Sequence, residues 1–152
     1  MRTFVDLYYD DFKVGDTWRT HGRTITESDM VAFNSLIGLQ HPAFMDEEHM
    51  RTTTFFKKRF ATGVMTIPYA AGLFTQLHIF DNSLIGMVGM EAKMKKPIHV
   101  GDTMFVNVEI IEKKETKSPE RGIISYKYTP VNQKEEEIAE IIEIIMIKRK
   151  KK

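Results

Sequence analysis

The chain has no cysteine among its 152 residues. That excludes disulfides, thiolate metal ligands and thiol nucleophiles. It also lacks an apolar signal-like N-terminus and any run of roughly 18 apolar residues able to span a bilayer. A cytoplasmic location without a membrane partner is therefore expected. Charge of one sign is missing too: the net charge is +1, so no whole-molecule field recruits nucleic acid. The closing run Lys148-Arg149-Lys150-Lys151-Lys152 reads as a solvated terminus. His21, His49, His78 and His99 show no ligand spacing, so neither a metal nor a cofactor is expected. No internal repeat or low-complexity linker interrupts the chain. Residues 1–152 are expected to form a single domain, with an ordinary 42% hydrophobic and 28% charged content.

The hydrophobic pattern places the elements. Tyr8 to Asp16 reads as an extended lead-in closing on a Val14-Gly15-Asp16 turn, and Trp18 to Ile25 as a strand. Thr26 is the expected N-cap of a helix with Glu27 and Asp29 in its first turn. Met30, Val31, Phe33, Leu36 and Ile37 recur at helical spacing there, and Gly38 stops it. His41-Pro42 cannot continue that helix. A short second helix is expected over Asp46 to Met50. Gly63 to His78 predicts the main helix, starting near Met65 or Thr66 because Pro68 suits only a helix start. Ile67, Ala70, Ala71, Phe74 and Leu77 would form its apolar face, and the small residues would allow close approach to a sheet. Ile85 to Met94, Met104 to Glu112 and Ile123 to Val131 predict strands. The last segment is ambiguous, but six isoleucines between 138 and 147 favour a fourth strand. One apolar helix followed by consecutive strands predicts an α+β domain.

Several fragments then carry a family resemblance. Gly38-Leu39-Gln40-His41-Pro42-Ala43-Phe44-Met45-Asp46 resembles the Gly-Asp-x-Asn-Pro-x-His-x-Asp signature of the MaoC-like (R)-specific enoyl-CoA hydratases. Tyr8 to Asp16, Gly22 to Asp29, Phe60-Ala61-Thr62-Gly63 and Lys96 to Thr103 are similar to other parts of that family, in the same order. Lys117-Ser118-Pro119 and Val131-Asn132-Gln133 have counterparts in its mesaconyl-CoA hydratase-like branch. The resemblance implies a hotdog fold, an antiparallel sheet wrapped around one long central helix. It implies an acyl-CoA or other acyl-thioester ligand, and a homodimer or a heterodimer with a related hotdog chain.

The same resemblance sets up a conflict at the site. In the family, an Asp and a His of the signature activate water, and a backbone N–H at the start of the central helix stabilises the thioester oxygen. That second part carries over to Gly63, with Val64 beside it, since a helix start favours negative charge. The first does not, because Leu39 and Phe44 occupy the reactive positions and move no protons. His41 is of a residue type suited to acid–base work, or it hydrogen-bonds the loop backbone in place of the family Asn. Gln40 can orient a water but is a very poor base. Thr62, standing where the family has His, is a further candidate for contact with substrate. Asp46 reads as a helix cap. Met87, Met90 and Met94 suit an adaptable apolar pocket, although such a stripe is more often core.

Three functions follow from this pattern. One is a hydratase or dehydratase-type protein that binds acyl thioesters, with activity weakened or altered. A second is a non-catalytic subunit that binds acyl-CoA or completes a partner's site. A third is a thioesterase, disfavoured because Thr62 to Leu73 offers no carboxylate.

Overall fold

Four long strands carry the alternation that their sequences display, and a fifth, very short one starts the sheet. The computed structural model describes residues 6–150. In chain order the elements are β1 (Thr17–Arg19), β2 (Arg23–Thr24), α1 (Glu27–Leu36), α2 (Pro42–Met45), α3 (Glu47–Thr53) and β3 (Phe60–Ala61). Then follow α4 (Gly63–Thr75), β4 (Leu84–Met94), β5 (Ile98–His99), β6 (Thr103–Glu115), β7 (Arg121–Val131) and β8 (Ala139–Lys148). The main sheet is antiparallel in the order β1-β6-β7-β8-β4, β2 pairs with β6, and β3 pairs with β5. Helix α4 lies in the concave face against β6 and β7. This is the hotdog arrangement expected from the resemblance.

Register decides which side chains face the helix. Tyr128 pairs with Ile141, Tyr126 with Glu143 and Ile124 with Ile145. Paired residues share a face, so these six look inward, as do Val106, Val108 and Ile110 of β6. Phe74 of α4 stacks on Tyr126 at 4.8 Å and on Tyr128 at 6.2 Å between ring centroids. Phe80 and Phe12 extend the aromatic cluster. The ambiguous final segment is a strand because Ile141, Ile145 and Ile147 are buried at alternate positions.

The structure departs from several sequence expectations. Trp18 to Ile25 is not one strand: Thr20 interrupts it, its hydroxyl accepting from the Val106 amide and donating to the His21 carbonyl. Helix α2 was not expected. Pro42 opens it at the first position, where its missing N–H costs nothing. Helix α4 begins at Gly63, two residues before the expected start, and Pro68 lies inside it. Pro68 and Val64 both face solvent, so water can take the Val64 carbonyl that an amide at Pro68 would have bonded. The helix ends at Thr75 rather than His78, with single-turn bonds carrying the chain to His78 in the left-handed region (φ 56). Its buried face is Met65, Thr66, Ala70, Leu73 and Phe74, rotated from the predicted one. In α1, Met30 is buried but Leu36 is 84% exposed.

Asp29 joins three elements at the edge of this core. Its carboxylate accepts from the Thr26 amide, completing a capping box, and from Arg23 and the Tyr69 hydroxyl of α4. Burial opposes its ionisation, but the Thr26 hydrogen bonds and the Arg23 guanidinium outweigh it and hold the carboxyl below its ordinary value of 3.8. A depressed carboxyl adds stability that is present above the unfolded pKa and lost as pH falls through the folded one. Asp29→Asn should therefore lower stability at neutral pH and shrink the loss seen on acidification below pH 3.8. Denaturant titrations across that range check this, and parallel wild-type and variant curves would refute it.

Candidate functional site

The start of α4 is built from three segments. Strand β3 delivers Phe60 and Ala61 by pairing with His99 and Ile98 of β5. Thr62, 5% exposed, then caps the helix, its hydroxyl accepting from the Met65 amide at 3.0 Å. Its carbonyl accepts from the Met65 and Thr66 amides and the Thr66 hydroxyl. This leaves the Gly63 and Val64 amides without partners among the described residues. Val64 is 60% exposed, so this pair is reachable. A side chain at residue 63 would crowd Met94, whose Cγ lies 3.3 Å from the place a Cβ would take. Met94 is itself 46% exposed and flexible, so it can swing aside.

The loop of Leu39 to Asp46 stands beside this start. Phe44 meets Phe60 edge-on at 5.4 Å, and Phe60 in turn meets Phe56 and His99. An aromatic cluster thus occupies the side of the helix start to which the loop leads. Leu39 is half-buried and Gln40 exposed. His41 is exposed and caps α2, its Nδ1 accepting from the Ala43 amide at 3.1 Å. Asp46 caps α3 through the His49 amide. The hydrogen-bonding duties of His41, Asp46 and Thr62 are thus to the backbone around them. Among the described residues no group of three or more His, Asp or Glu side chains could hold a metal ion.

Met87, Met90 and Met94 of β4 share one face, opposite Ile145, Glu143 and Ala139 of β8. They are 59%, 42% and 46% exposed, since α4 packs mainly on β6 and β7. The methionine stripe is therefore a partly exposed apolar face and not sealed core. Sequence reasoning missed Glu143, a carboxylate among the inward isoleucines of β8; its parity with Ile141 and Ile145 was the available signal. It also missed Asn34, fully buried one helical turn after Met30, whose Oδ1 has no hydrogen-bond partner among the described residues. A separate cleft of about 1270 Å³ opens between residues 118–121 and Lys148 to Lys150. Its cations are largely committed, Arg149 to Asp10 and Glu115 and Lys150 to Asp11.

A hotdog domain with a glycine-led helix start beside the 39–46 loop is the architecture of the MaoC-like hydratase and dehydratase family. Residues 13–141 match the family model described as FAS1-like, dehydratase domain region, and the chain belongs to that family. It is 27% identical over 126 residues to an (R)-specific enoyl-CoA hydratase of Rhodospirillum rubrum, covering 80% of this chain and 79% of that protein. Its structure superposes on a monoamine oxidase regulatory protein from Archaeoglobus with a TM-score of 0.89 at 26% identity, over 96% and 97% of the two chains. A MaoC-like dehydratase from Rhodospirillum rubrum gives a TM-score of 0.85 at 21% identity, over 96% and 99%.

Removing the Thr62 hydroxyl tests how the helix start is held. Thr62→Ala should destabilise the fold by about 1 kcal/mol, the usual cost of losing an N-cap, while Thr62→Ser should retain most of the stability. Equal denaturation midpoints for wild type and Thr62→Ala would show that the cap contributes nothing.

Proposed function

We propose that this protein binds acyl thioesters of coenzyme A beside α4, with hydration chemistry weakened by the loss of both proton-moving side chains. The proposed setting is the cytoplasm. The observation that carries the reading is the pair of amides at Gly63 and Val64, which have no hydrogen-bond partner among the described residues, at a helix start that lies close to the partly exposed Met94. A thioester oxygen placed there meets two N–H donors and the positive end of a helix. The exposed methionines supply an adaptable wall for an acyl chain.

Hydration needs more than polarisation of the carbonyl. A base must take a proton from water and an acid must protonate the α-carbon. Phe44 and Leu39 do neither, and the Nδ1 lone pair of His41 is already engaged by Ala43. Each lost proton-transfer group costs about 10²–10⁴ in rate. A non-catalytic role, binding acyl-CoA or completing the site of a competent partner, fits the same geometry, and turnover separates the two. The double variant Leu39→Asp plus Phe44→His should raise hydration of crotonyl-CoA by about 10² or more, read as loss of enoyl absorbance. A folded variant that gains nothing would count against a retained hydratase pocket.

A second copy, or a related hotdog chain, would complete the site. Strand β4 is an edge strand whose far side pairs with no other described strand, and Leu84, Ile85, Met87 and Val88 on it are about half exposed. Native proteins rarely leave such an edge bare. Antiparallel addition of a second β4 would extend the sheet and cover the exposed methionines. Sedimentation equilibrium should therefore give twice the 17.7 kDa chain mass for the protein alone, or a heterodimer with its partner. A stable monomer that binds acyl-CoA would sink the pairing.

A further inference from the structure

The loop that leads from α3 into β3 carries the most exposed large apolar side chain among the described residues. Phe55 is 101% exposed and its neighbour Phe56 49%. Phe56 rests against Phe60 at 4.5 Å between ring centroids, which anchors the loop beside β3. Phe55 has no such seat, and a ring left wholly in water contributes nothing to the fold. Two lysines follow directly. Lys57 stands at φ 55, in the left-handed region that favours glycine. Its ammonium donates to the Thr52 carbonyl at the end of α3. The Lys58 side chain is exposed and has no partner among the described residues.

No carboxylate neutralises these two lysines, unlike the other cations near the helix start. Arg59 pairs with Glu27, Arg51 with Glu48, and Lys93, Lys95 and Lys96 with Glu91, Glu137 and Glu136. Glu47 forms no ion pair among the described residues, but it belongs to the opposite end of α3, about 8 Å from Thr52 along the axis. The spacing to the helix start is fixed by the chain. Lys58 lies five positions before Gly63, so their Cα atoms are at most about 18 Å apart. A pantetheine arm joins its sulfur to its phosphate through a backbone as long as roughly four extended residues, about 14 Å. The remaining distance is within reach of a lysine side chain.

We infer that Phe55, Lys57 and Lys58 hold the nucleotide end of a coenzyme A thioester, the adenine stacking on Phe55 and the phosphates meeting the two ammonium groups. This rests on the thioester-binding reading above and concerns the part of the ligand that the helix start does not touch. A purine holds an exposed ring through its face and needs no enclosed pocket. The phosphates find in the two lysines a local charge that the net +1 of the whole chain does not supply. A lysine at a glycine-favouring position then has a reason: its charge serves the ligand at some cost to the loop.

Calorimetric titration of the whole chain with butyryl-CoA, butyryl-phosphopantetheine and butyryl-pantetheine tests the site. The CoA thioester should bind at least about tenfold tighter than the phosphopantetheine thioester. That one in turn should bind tighter than the pantetheine thioester, by a margin that shrinks in high salt. Phe55→Ser should remove the first advantage and Lys58→Glu most of the second, while affinity for butyryl-pantetheine stays unchanged in both. Lys57→Gly should weaken CoA binding without lowering the denaturation midpoint, whereas a lysine serving the loop alone would lower it on removal. Equal affinity for the three thioesters in the wild type, or a CoA advantage that survives Phe55→Ser and Lys58→Glu, would overturn the inference and leave thioester binding intact. An advantage already complete with phosphopantetheine would take the nucleotide off Phe55 and overturn it as well. If none of the three thioesters binds, the thioester reading itself falls and this inference falls with it.

Discussion

The stack of Phe74 on Tyr126 and Tyr128 determines where the central helix can lie, and most other features follow from that position. Aromatic rings packed at 4.8 Å and 6.2 Å in the concave face tie α4 to β7 and, through neighbouring aliphatic residues, to β6. The sheet is wider than one helix. Seating the helix over β6 and β7 keeps the inward isoleucines of β8 buried but leaves Met87, Met90 and Met94 of β4 partly exposed. The same seating brings the Gly63 end of the helix close to Met94. One packing decision sets the helix start and the exposed methionine stripe together.

Within this frame the side chains of the 39–46 loop serve packing and helix capping. Phe44 inserts into an aromatic cluster with Phe60, and Leu39 is half-buried. Asp46, His41 and Thr62 each cap a helix. Such substitutions cost the fold little, because the loop is held by Pro42, the caps and apolar contacts and not by acid–base residues. The architecture of the dehydratase family therefore persists with Leu39 and Phe44 in this loop. The start of α4, made of backbone, is a part of that architecture which side-chain substitution does not easily remove.

The proposed pairing would use the edge of β4. Its apolar residues, a backbone edge that pairs with no other described strand and the exposed methionines lie along the same strand. A continuous sheet across two chains would satisfy all three at once, so assembly and ligand binding would be coupled through one surface. The described helices include none long and apolar enough to cross a membrane.

Much of this was legible locally. Helix spacing and the Thr26 cap placed α1, alternation placed β4, β6 and β7, and the isoleucine run resolved as β8. The ordered fragments from Tyr8 to Lys148 carried the family. These are short-range signals, set by side-chain period, turn chemistry and spacing within one segment. Other features depended on which strands became neighbours. Tyr126 and Glu143 are seventeen positions apart, and only the β7–β8 register puts them face to face. The methionines of β4 look like core in any local pattern; they are exposed because α4 settles two strands away. The early start of α4 despite Pro68 likewise depended on solvent lying on that side of the helix. Local propensity specified the elements of this protein, while the offset of one helix across a wide sheet decided what they enclose.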